Sequence, residues 1–167
     1  LSQSINGCIV KKLLGGHHFG DPIPRLRSLD EIPSPYLTGL LDGFFDGRLD
    51  PSIQTSRGCP FKCTYCVDGS DLVSKVNRFS VERSIKELTY IAERVPSNLH
   101  TLSIQDLNFG MFRGDLEICD AILEIQKKYN YPQIVGAATG KNAKERIIDA
   151  IKKLQGSLKL TMAVQSM

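Results

Sequence analysis

The chain has 167 residues, of which 41% are apolar, 7% aromatic and none tryptophan, enough to bury one core. A formal charge of +3, with the 21 Lys and Arg residues dispersed along the chain, argues against a nucleic-acid footprint or a membrane-surface patch. No apolar run approaches a membrane span and no secretory signal opens the chain, so the expectation is a cytoplasmic protein with reduced thiols.

Residues 1–50 read as an irregular lead-in. An apolar stretch from Ile9 to Leu14 is followed by a Gly- and His-rich run from Gly15 to Gly20. Prolines 22, 24, 33 and 35 then deny the backbone donors and bias it to extended or turn geometry. This allows at most a short hairpin and one helical turn near Leu37 to Phe45. His17 and His18 invite a metal reading, but their setting between glycines predicts an exposed turn.

From residue 51 to 167 the pattern alternates strand and helix. Pro51 to Gln54 forms a short extended run into a cysteine-rich loop, after which Ser80 is placed to cap a helix. That helix buries Val81, Ile85, Leu88, Ile91, Ala92 and Val95 and ends at Pro96. Leu99 to Ile104 reads as a second strand and Asp115 to Tyr129 as a second helix, with Leu116, Cys119, Ile122, Leu123 and Ile125 inside. Gln133 to Ala138 is a third strand. Asn142 with Glu145 predicts a reciprocal cap on a third helix lined by Ile147, Ile148, Ile151 and Leu154, and Leu158 to Val164 is a fourth strand.

Such alternation implies parallel strands in a doubly wound sheet or an arc of a barrel, with ligands at the carboxyl ends of the strands. Four polar clusters then share one rim: the cysteine loop, Asp106 with Asn108, Thr139 to Asn142, and Gln165 with Ser166. The run from Gly136 to Asn142 is not a phosphate loop. Only three residues separate its glycines, Asn142 stands where Ser or Thr would hold magnesium, and Lys141 is better read as solvated or facing substrate.

Cys59, Cys63 and Cys66 fall in a C-x3-C-x2-C run between Thr55 and Cys66, holding three thiolates around one small loop. Three ligands leave one iron of a cubane iron–sulfur cluster open to something other than protein. The competing readings are a disulfide or a zinc site completed by Cys8, Cys119 or a histidine, although structural zinc takes two paired ligand sets and the sequence has no second pair. Cys119 sits at an apolar helix position and reads as core, whereas the role of Cys8 is open.

The chain resembles the radical S-adenosylmethionine enzymes, and within them the catalytic core of the group associated with cobalamin-binding domains. The resemblance rests on the cysteine run with Tyr65 before its third cysteine, the lead-in from Leu29 to Leu37, the loop from Gln105 to Phe109, and Val164 to Ser166. It implies a partial parallel (β/α) barrel, about the first four strands of a (β/α)6 core behind the lead-in. It further implies a [4Fe-4S] cluster on Cys59, Cys63 and Cys66 whose open iron binds S-adenosylmethionine. Reductive cleavage there yields a 5′-deoxyadenosyl radical for methyl transfer, cyclisation or rearrangement on a substrate the sequence does not specify.

By the same resemblance Tyr65 packs near the cluster and adenine. Asp106 and Asn108 replace a glycine-glycine-glutamate run that orients the methionyl amino group, and Gln165 and Ser166 lie where ribose hydroxyls are bound. Arg57 and Lys62 flank the loop and offset thiolate charge. A reductant such as flavodoxin or ferredoxin is the implied partner. The histidines lack the Asp-x-His-x-x-Gly signature of a cobalamin-ligating loop, so any cobalamin is held by a domain outside this chain. Four units of a six-unit core also lead us to expect an inactive fragment with an open sheet edge through which copies associate. The alternative function is a non-catalytic iron–sulfur electron carrier or a zinc-stabilised binding module.

Overall fold

Part of the N-terminal segment packs onto the sheet that follows it. In this computed structural model, which describes residues 5–24, 26–69, 74–140 and 142–161, the chain opens with an antiparallel hairpin, β1 (Ile9–Lys11) and β2 (His17–Phe19). His17 and His18 are therefore strand residues opposite Lys11 and Val10, and the turn expected of them lies at Lys12 to Gly16 instead. Two single helical turns follow, Leu29–Glu31 and Asp42–Phe44. Leu29 and Tyr36 are buried, and the Tyr36 hydroxyl donates to Ser52 O (2.8 Å) and accepts from Ser52 N (3.2 Å). A side chain thereby satisfies backbone groups of an edge strand that a neighbouring strand would otherwise pair.

The core sheet contains β3 (Ser52–Ile53), β6 (Thr101–Ile104), β7 (Ile134–Ala138) and β8 (Leu158–Thr161), in that spatial order and all parallel. A short antiparallel pair, β4 (Ser56–Arg57) and β5 (Asn77–Arg78), brackets the cysteine loop. Between the parallel strands run α1 (Val81–Ala92), α2 (Arg113–Tyr129) and α3 (Lys144–Lys153). The Ser80 hydroxyl caps α1 by accepting from Arg83 N, as its sequence predicts.

Alternation along the strands puts Leu102, Ile104, Val135, Ala137 and Leu158 into one core with Leu88 and Ile91 of α1, Ile118 and Ile122 of α2, and Ala150 of α3. The described helices thus pack on a single face of the sheet. The opposite face presents small or polar side chains such as Ser103, Gly136, Lys159 and Thr161.

Two expectations for the third helix need correction. Ala143, at φ 59°, is its N-cap residue, and no side chain caps it, so Asn142 lies outside the helix and its reciprocal cap with Glu145 is not formed. The buried stripe is Ile147, Ala150 and Leu154, leaving Ile148 and Ile151 at 48% and 38% exposure. The last predicted strand residues, Met162 to Val164, lie outside the described residues.

Candidate functional site

The cysteine loop leaves the carboxyl end of β3 and is fastened at its root by the loop after β6. Asp106 is 2% exposed, and its carboxylate accepts from Thr55 N (2.7 Å), Ser56 N (3.1 Å), Thr55 Oγ1 (2.5 Å) and Ser56 Oγ (2.8 Å). Two carboxylate oxygens offer about four lone-pair sites, so all are occupied. In this structure Asp106 fixes the entry to the loop that carries the thiols.

Beyond this root the loop makes two turns, with Cys66 N donating to Cys63 O (3.1 Å) and Gly69 N to Cys66 O (3.0 Å). A Cβ at Gly69 would stand 2.5 Å from Cys63 O, so this close backbone approach admits only glycine. All three cysteines are unpaired thiols; Cys59 and Cys63 are half-buried and Cys66 is exposed. Tyr65 is 64% exposed on the same loop. Arg57 is held by Gln54, Nε to Oε1 at 2.7 Å, with its guanidinium 5.8 Å from the Phe79 ring centre. Lys62 is exposed.

Asn108, 7% exposed, reaches Cys59 from the loop after β6: its Nδ2 donates to Cys59 Sγ at 3.4 Å. The sequence marks Asn108 as a polar strand-end residue but gives no sign of this contact, because its partner is 49 residues away. Asp115, also missed, joins the opposite side of the site. Its buried carboxylate accepts from Gly110 N and Phe112 N and pairs with Arg78 of β5 at 2.5 Å, tying the loop after β6 to the strand that closes the cysteine loop. Burial pushes the Asp115 carboxyl above the usual carboxylate range, against the lowering effect of those donors.

At the carboxyl ends of the strands lies an open cleft of about 410 Å³ lined by Ser103, Gln105, Asp106, Gly136, Lys159 and Thr161, among others. This is within the roughly 300–1,000 Å³ of small-molecule sites. Thr139, on the same rim, carries a buried hydroxyl without a hydrogen-bond partner among the described residues. Of the other rim residues expected from sequence, Lys141, Gln165 and Ser166 lie outside the described residues.

The donor set fits an iron–sulfur cluster: three unpaired thiols on one loop, a side-chain amide on one of them, and an unpartnered hydroxyl on the adjoining rim. Among the described residues no three His, Cys, Asp or Glu side chains are gathered as ligands of a single ion. Cys119 supplies no fourth ligand. It is wholly buried in the core face of α2, and desolvation pushes its thiol up to about 12. Cys8 is exposed beside the hairpin.

No protein-family model matches the chain. A 2-(S-pantetheinyl)-carbapenam-3-carboxylate methyltransferase from Streptantibioticus cattleyicolor is 33% identical over 139 residues, 80% of this chain and 20% of that protein. The cobalamin-dependent radical SAM methyltransferase TokK from Streptomyces tokunonensis is also 33% identical over 139 residues, with the same coverage. This chain is thus related to methyltransferases, of which TokK is a cobalamin-dependent radical S-adenosylmethionine enzyme.

The chain spans about a fifth of the length of these methyltransferases. Among solved structures, the cobalamin-dependent S-adenosylmethionine radical enzyme OxsB matches 98% of this chain and 24% of its own, at a TM-score of 0.66 and 19% identity. The radical S-adenosylmethionine methyltransferase TsrM from Kitasatospora setae matches 68% of this chain and 20% of its own, at 0.54 and 13%. OxsB holds aqua-cobalamin and S-adenosylmethionine, and TsrM holds cobalamin and a [4Fe-4S] cluster. At these identities the two structures establish the α/β fold with its parallel sheet. No described helix is long and apolar enough to cross a membrane.

Proposed function

We propose that this chain is the cluster-binding part of a radical S-adenosylmethionine methyltransferase, with Cys59, Cys63 and Cys66 as the cluster ligands. The observation that carries the reading is the three-cysteine loop anchored at the carboxyl rim of a parallel sheet by Asp106, which also lines the neighbouring cleft. When bound, the cluster supplies the electron that cleaves the sulfonium of S-adenosylmethionine.

The remaining work belongs to the chain's own residues. Asp106 fixes the loop root, Asn108 contacts one ligand sulfur, and Gly69 lets the loop close on Cys63. Ser103, Gly136 and Thr139 leave room and hydrogen-bonding capacity for a zwitterionic cofactor on the rim. Packing of the helices on one face supports an arc of a barrel, because a doubly wound sheet is covered on both faces. In that arrangement the small-residue face becomes the lumen. Any cobalamin would be held by a domain outside this chain, and the exposed cysteine loop is where a flavodoxin- or ferredoxin-type reductant would deliver its electron.

The test is anaerobic reconstitution with iron and sulfide, followed by electron paramagnetic resonance of the reduced cluster with and without S-adenosylmethionine. A [4Fe-4S] signal that changes when S-adenosylmethionine is added is the expected result. A cluster whose signal ignores S-adenosylmethionine would instead identify an electron carrier.

A further inference from the structure

Three loops meet at one amide. We infer that Asn108 is a positioning residue for the cluster, setting the charge on the Cys59 sulfur through its Nδ2–H···Sγ hydrogen bond, and that Gly140 exists to leave it room. The inference rests on the cluster reading above and adds a residue that governs how readily that cluster takes an electron.

The geometry is directional. The Asn108 side chain lies between the loop after β3 and the loop after β7, donating to Cys59 Sγ at 3.4 Å with its nitrogen and facing Gly140 with its oxygen. A Cβ built on Gly140 would stand 2.9 Å from both Asn108 Oδ1 and Met111 Sδ and 3.2 Å from Asn108 Cβ, so those side chains would have to shift to admit it. Gly140 does not have a positive φ, so its lack of a side chain answers to crowding by Asn108 and Met111 and not to backbone conformation. The loop is further clamped from below, where Phe109 N donates to Ala138 O at 2.9 Å. Asn108 is thus held from both sides and is nearly buried, so its donor keeps a fixed direction.

The electrostatic consequence follows from where the added charge goes. Reduction places one more negative charge on the cluster and its thiolate ligands, and a hydrogen bond to a ligand sulfur stabilises that state more than the oxidised one. Asn108 therefore raises the reduction potential. Asp106 cannot share this role, since both its oxygens already accept from Thr55 and Ser56.

The test compares the reconstituted wild-type protein with Asn108→Leu, which keeps the volume but removes the donor, and Gly140→Ala, which keeps the donor but displaces it. Redox titration followed by electron paramagnetic resonance should show about tenfold less reduced cluster in either variant at a fixed potential, a shift of about 59 mV for a one-electron couple. Resonance Raman spectra should show the terminal iron–thiolate stretch rising as the sulfur loses its hydrogen bond. If both variants take up the cluster with potential and stretch unmoved, the inference is overturned while the cluster reading stands. If the wild-type protein takes up no cluster, the cluster reading falls and the inference with it. Gly140→Ala keeps the question open to experiment should Asn108→Leu not fold.

Discussion

Asp106 illustrates how one buried carboxylate can anchor the root of a loop. Replacing it with alanine strands two backbone N–H groups and two hydroxyls in a buried setting, where each unsatisfied group costs about 1–3 kcal/mol unless water enters. We expect Asp106→Ala to lose about 3 kcal/mol in urea unfolding, and to take up iron poorly even under conditions where it remains folded. Wild-type stability in that variant would show that the four bonds are replaceable. The sequence marks Asp106 and Asn108 as a polar pair at the end of a strand, and their position on the rim is legible from the strand–helix alternation. Their partners are not, because Thr55 and Cys59 lie 51 and 49 residues away and meet them only through the parallel register of β3 and β6. Periodicity gives an element and its faces; it carries no information about which loop lands on which.

At the scale of elements, the N-terminus of α1 is the clasp for the lead-in. Asp30 Oδ1 accepts from Ser80 N at 3.0 Å, while Arg83 donates to the carbonyl oxygens of Leu29, Asp30 and Ile32 and pairs with Glu87 at 3.2 Å. The Arg83 and Glu87 side chains are only 12% and 10% exposed, so Arg83→Ala leaves a buried carboxylate without its cation. Losing one partner of such a pair costs about 3–5 kcal/mol. We expect about 3 kcal/mol here, since the lead-in can relax, together with faster proteolysis within residues 26–50 in a limited digestion. The Ser80 N–H holds the Asp30 carboxyl below the usual carboxylate range. A carboxyl depressed in the folded state contributes stability above its ordinary range and loses it as the pH falls through its folded value. The Ser80 amide resonance should therefore move on acidification in the wild-type protein and stay still in Asp30→Asn. The Ser80 cap is legible because a side chain bonding three residues on is a local event, whereas the Asn142 cap expected from sequence does not form because Ala143 adopts a left-handed conformation that sequence alone does not announce. Likewise, Ile148 and Ile151 satisfy a helical apolar pattern, yet the sheet meets the helix along Ile147, Ala150 and Leu154.

For the molecule as a whole, the question is whether metal holds the fold together or the fold holds the metal. The core runs from Leu88 and Ile91 through the parallel strands to Leu154, and none of Cys59, Cys63 and Cys66 is part of it. The cysteine loop is attached by Asp106 and by the β4–β5 pair, both made of protein–protein hydrogen bonds. Removing a bound cluster therefore takes away only the stabilisation that ligand binding adds to a state already folded. This contrasts with small zinc domains, in which binding energy is folding energy and a chelator unfolds the chain. We expect the chelated, cluster-free protein to keep its far-ultraviolet circular dichroism and a cooperative urea transition, with a lower Tm than the reconstituted form and faster hydrogen exchange confined to the loop between Gly58 and Gly69. Loss of secondary structure on chelation would instead show a metal-dependent core, reviving the zinc-stabilised module and removing the basis for reading this loop as an accessory to a self-sufficient sheet.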